Sequence, residues 1–123
     1  MYCRALRGAS TAKENTGQEI LSATTELLTE MIASNALAAE DMVSIFFSVT
    51  QDLDATFPAK GARHMGLEEV PLFCMQEIPV PNSMEKCIRI LIHFNTSKSN
   101  REIQHCYLKE AKSLRPDHHE SEK

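Results

Sequence analysis

Only one stretch of this chain has the pattern of a long helix; the other regular stretches read mostly as strand. In TGQEILSATTELLTEMIAS, residues 16–34, the side chains of Ile20, Leu21, Leu27, Leu28, Met31 and Ile32 recur at helical spacing and make one apolar stripe. Thr16 and Glu19 give the T-x-x-E signature of a helix start, with Thr16 as the N-cap, and Ser34 and Asn35 offer a stop. YCRALRGAS opens the chain as a strand ending near Gly8, with Cys3, Ala5 and Arg7 on one face and Tyr2, Arg4 and Leu6 on the other. DMVSIFFSVT follows, where Val43, Ile45, Phe47 and Val49 alternate and Phe46 adds bulk to the opposite face. TFPAKGARHMG reads as a single helical turn opened by Pro58 and closed by Gly66. VPLFCMQ and KCIRILIHFN are two more strands. In the second, Ile88, Ile90, Ile92 and Phe94 form a ladder on one face, while Arg89 sits on the other between Cys87 and Leu91. A short strand is expected around Tyr107, followed by a tight turn.

One long helix covers one face of a five-stranded sheet and leaves the other bare. The pattern therefore predicts an α+β layer fold, a mixed five-stranded sheet with one long helix on one face. The bare face, carrying Phe46, Cys74 and Leu91, calls for a partner, so a symmetric oligomer is expected. Residues 1–117 are expected to form one domain, and the polar HHESEK at 118–123 a mobile tail.

Several function classes are disfavoured. A net charge of −4 argues against general nucleic-acid binding, although a local arginine cluster can still hold a small anion. No apolar run approaches the roughly 20 residues of a membrane-spanning helix. The first residues, MYCRALRGAS, lack a long apolar segment and a cleavage site, so the expected compartment is the cytoplasm. Cys3, Cys74, Cys87 and Cys106 form no CxxC pair, and the five histidines show no ligand spacing, so no metal is assigned. Three of the cysteines sit in strand-like runs and read as small buried hydrophobes.

Three charges stand out. Arg7 and Arg89 each interrupt an apolar or small-residue strand face, and Glu77 ends a third strand in VPLFCMQEIPV. An unpaired charge on a buried sheet is costly, so such groups are either paired with each other, as Arg89 with Glu77, or hold a ligand.

The segments RALRGAST, FPAKGAR, PLFCMQE, KCIRILI and CYLKEAKSLRPD, taken in order over residues 2–117, resemble the monofunctional chorismate mutases of the AroH class. The resemblance implies a homotrimer with a barrel-like core and active sites between subunits. It also implies an isomerase of aromatic amino acid biosynthesis that converts chorismate to prephenate by an intramolecular Claisen rearrangement, with no cofactor. By the same resemblance Arg7 binds a substrate carboxylate, Arg89 lies beside the ether oxygen and Glu77 accepts a hydrogen bond from the ring hydroxyl. Cys74 lines that end of the pocket, and Tyr107 lies near the carboxylate. Phe57 and Leu114 form apolar walls across the interface, while Lys60, Arg63 and Arg115 lie near the pocket mouth. Three features depart from the family pattern. Phe73 stands at the pocket edge where a small hydroxyl residue is common, the loop after Arg63 is one residue shorter, and IPVPNSM carries an extra proline. Two rival readings are an imine deaminase of the RidA type on a similar trimeric fold and a non-catalytic module that binds a small anion.

Overall fold

The computed structural model describes residues 1–114; Arg115 and the expected tail lie outside the described residues. Among the described residues five strands form one mixed sheet: β1 (Tyr2–Thr11), β2 (Met42–Val49), β3 (Leu72–Gln76), β4 (Cys87–Thr96) and β5 (Cys106–Tyr107), in the order β3-β2-β4-β1-β5. The middle pairs, β2 with β4 and β4 with β1, are antiparallel, and both edge strands pair in parallel. β1 runs three residues beyond the stop expected at Gly8, because all ten of its residues pair with β4, from Tyr2 with Thr96 to Thr11 with Cys87.

The long helix α1 (Gly17–Asn35) starts as its sequence dictates: the Glu19 amide donates to Thr16 Oγ1 at 3.1 Å. It ends at Asn35, within the expected stop, and Ala36 caps it in the left-handed conformation (φ 52°), with the Leu37 amide reaching back to the Ile32 carbonyl. Ile20, Leu27, Leu28 and Met31 are fully buried against Leu6, Ile88, Ile90, Ile92 and Phe94 of the sheet. The approach is close at Gly8, where a Cβ would lie 2.4 Å from Met31 Sδ. The short helix α2 (Ala59–His64) follows Pro58, and Gly66 closes it at φ 86°, a conformation that favours glycine.

Two expectations change. The register steps from Met42 with Phe94 to Ser44 with His93, which leaves Val43 as a bulge. Val43 is therefore exposed and Met42 takes the core position, so the alternation holds only from Ile45 onward. After β5 the chain makes a 3-10 helix, Lys109–Leu114, rather than a single tight turn.

Candidate active site

β1 and β4 set the two arginines. Their register pairs Arg7 with Leu91 and Ala9 with Arg89, so the guanidinium-bearing residues lie diagonally on the face away from α1. Glu77 follows β3 directly. Its amide donates to the Val49 carbonyl at 2.8 Å, which carries the β2–β3 pairing one residue further. Ser48 of β2 pairs with Arg89 of β4, and both meet the carboxylate. Glu77 Oε2 accepts from Arg89 Nε at 2.8 Å and from Ser48 Oγ at 3.1 Å. The ion pair anticipated as one of two alternatives is thus present.

Arg7, Arg89, Tyr107 and Leu114 line one cleft of about 450 Å³, with Phe46, Met75 and Leu91 supplying apolar wall. Glu77 reaches this cleft through Arg89, and itself borders a neighbouring cleft of about 490 Å³ under the loop at 78–85. β5 brings Tyr107 into the arginine cleft, and the 3-10 helix brings Leu114. Arg7's own backbone amide donates to His105 Nδ1 at 3.0 Å.

The remaining expected site residues lie elsewhere. Cys74 pairs with Phe47, so it faces α1 and packs on the core, not on the bare face with Phe46 and Leu91. Phe73 takes the bare face in its place, 60% exposed and edge-on to Phe46 with ring centroids 6.0 Å apart. Cys74 instead lines a second cleft, of about 500 Å³, together with Phe57, which is 69% exposed. Lys60 and Arg63 are exposed on α2 and line neither cleft.

Two cysteines bear on the electrostatics. Cys87 is buried two residues from Arg89, and burial pushes its thiol above the ordinary value, partly opposed by the charge of Arg89. Burial likewise raises the thiol of Cys106. All four cysteines are free. Ser48 and His105 were not marked by the sequence. Their only signals are phase and position: Ser48 alternates with Phe47 in β2, and His105 directly precedes β5.

The family model for chorismate mutase type I matches residues 3–118. The chain belongs to the type I chorismate mutases. It is 43% identical over 115 residues to the chorismate mutase AroH of Thermus thermophilus, covering 93% of this chain and 94% of that one. To the chorismate mutase AroH of Bacillus subtilis (strain 168) it is 42% identical over 118 residues, 95% and 93% of the two chains. The solved structure of a chorismate mutase from Clostridium thermocellum superposes with a TM-score of 0.89 at 51% identity, covering 90% of this chain and 99% of that one. The chorismate mutase family match takes in every expected site residue, Arg115 included.

Proposed function

We propose that the protein is a chorismate mutase that converts chorismate to prephenate, an isomerase step of aromatic amino acid biosynthesis. The observation that carries the reading is the placement of Arg7, Arg89 and Tyr107 around one cleft, with Glu77 bound to Arg89, in a chain of this family. The rearrangement breaks an ether C–O bond and forms a C–C bond within one molecule, so it needs no nucleophile and no proton transfer. What it needs is a compact reactive conformer and stabilisation of the oxygen as it becomes enolate-like. Arg7 would anchor a carboxylate of the dianion, with Tyr107 beside it, because the planar guanidinium matches a carboxylate in a two-point contact. Arg89 would face the ether oxygen. The bond to Glu77 uses its Nε–H and leaves further N–H donors for the substrate. Glu77 would accept from the ring hydroxyl, with Ser48 steadying the carboxylate.

We further propose a homotrimer whose active sites lie between subunits. The arginine cleft of one copy would meet the cleft of Phe57 and Cys74 from the next, with Lys60, Arg63 and Arg115 at the rim. The distribution of the expected wall residues over two separate clefts of one chain supports this, as does the exposure of Phe57 and Phe73. No helix among the described residues is long and apolar enough to cross a membrane, and the cytoplasm remains the proposed location. Family membership weighs against the imine-deaminase reading. Incubation with chorismate, with the product identified, tests the assignment. Prephenate is expected; bound but unchanged chorismate would favour the anion-binding module, and an enamine or imine turned over instead would favour a deaminase.

A further inference from the structure

We propose that His105 is a positioning residue for Arg7, acting through the backbone of β1; this rests on the reading of Arg7 as the carboxylate anchor. β5 has only two residues, and its ladder pairs Gly8 with Cys106 and Ala9 with Tyr107. The next pair would be Arg7 with His105. There the backbone ladder stops and the imidazole takes over, accepting the Arg7 amide on Nδ1 at 3.0 Å. Nδ1 can accept only when it carries no proton, so the neutral ring holds its hydrogen on Nε2.

The imidazole stands on a fixed base. The carboxamide of Asn35, buried at the end of α1, pairs with both backbone groups of Gln104, much as a neighbouring strand would. The Gln104 amide donates to Asn35 Oδ1 at 2.8 Å, and Asn35 Nδ2 donates to the Gln104 carbonyl at 3.0 Å. Asn35 Nδ2 also donates to the Met31 carbonyl at 2.9 Å, within its own helix. Beyond β5 the Leu108 amide donates to the Ala9 carbonyl at 2.9 Å. A continuous line of hydrogen bonds and covalent backbone thus runs from α1 through Gln104 and His105 to the amide of Arg7. The same segment carries Tyr107 into the arginine cleft.

The consequence is for binding rather than for folding alone. The guanidinium of Arg7 extends from its Cα on a long lever, so a small rotation of β1 at residue 7 moves the anchor by a larger distance. An anchor that holds the substrate equally in the ground and transition states controls KM more than kcat. Asparagine places Oδ1 where histidine places Nδ1, whereas glutamine carries its acceptor one methylene further out. Both substitutions remove the ring, so packing loss is common to them and the acceptor position is what differs.

The test compares wild type, H105N, H105Q and Arg7→Ala on chorismate, with exchange of the Arg7 amide followed by NMR. H105Q is expected to raise KM about five- to tenfold with kcat little changed, and to speed exchange at the Arg7 amide. H105N is expected to recover most of the loss in both readouts. Equal impairment of H105N and H105Q would overturn the proposal, because packing would then explain the effect. Wild-type KM and protection in H105Q, with Arg7→Ala impaired, would overturn it while leaving the anchor reading intact. Unchanged KM in Arg7→Ala would overturn both.

Discussion

Arg89 and Glu77 make an ion pair whose side chains are 47% and 27% exposed. A pair that open to solvent is worth only about 0–1 kcal/mol, too little to explain charges on an otherwise apolar sheet face by stability alone. Removing Glu77 should therefore cost activity far more than stability: Glu77→Gln is expected to shift the melting temperature only slightly while lowering chorismate turnover. A variant that melts much earlier, or turns over normally, would return the pair to a structural role. The two arginines should separate kinetically. Arg89→Lys keeps the charge but loses the planar fork, and kcat is expected to fall by about 100-fold or more at saturating chorismate. Arg7→Ala is expected to raise KM by about tenfold or more with a smaller effect on kcat. Matching kinetic signatures for the two would refute the division. Cys87 offers a test by pH. Folding raises its thiol above the unfolded value, so the neutral form is favoured and its contribution is present below the unfolded pKa, then lost as pH rises through the folded one. The melting temperature of the wild type should fall from about pH 8.5 upward, and Cys87→Ala should flatten part of that slope. Equal slopes in the two proteins would show that the thiol titrates alike in both states.

At the level of elements, α1 was legible because its signals are local: a stripe at helical spacing and a Thr16 cap recorded within four residues. The ladder of β4 was equally plain, since Ile88, Ile90, Ile92 and Phe94 contrast with Arg89. Features that depend on a neighbouring strand were not legible. The bulge at Val43 exists only in the pairing of β2 with β4. The face of Cys74 could not be read because Leu72, Phe73, Cys74 and Met75 are apolar on both sides, leaving no contrast at period two; the register with Phe47 decides it. The same holds for the site. Arg7 and Arg89 announced themselves as charges among apolar neighbours, whereas Ser48 and His105 matter through partners 29 and 98 residues away. The end of α1 carries a prediction of its own. Ala36 holds a left-handed conformation that glycine adopts without a Cβ penalty. Ala36→Gly is expected to stabilise the protein by about 0.5–1 kcal/mol, read as a higher denaturant midpoint. A lower midpoint would mean that the added freedom of the unfolded chain outweighs the relieved strain.

For the molecule as a whole, one helix layer leaves a sheet face that carries Phe46, Phe73 and Met75 alongside the arginines, and the proposed trimer would cover it. Light scattering should then report about three times 13.8 kDa. A fully active monomer would sink the intersubunit site. The arginines have a further property that follows from where they sit. They ride on adjacent antiparallel strands whose pairing is continuous over ten residues. Side chains return to the same face only every second residue, so either arginine can be relocated along its strand only in jumps of about 6.5–7 Å. A small backbone rotation shifts a guanidinium within one such step but does not carry it to the next, and insertions in the surrounding loops leave the strand register unchanged. Selection for a substrate in which the carboxylate and the reacting oxygen are differently spaced would therefore have two routes: a discrete hop of one arginine by two positions, or a change in side-chain length at a fixed one. Charge separation in this scaffold behaves as a stepped variable, and libraries meant to alter its substrate range should sample residues 5, 7 and 9 against 87, 89 and 91 rather than the loops.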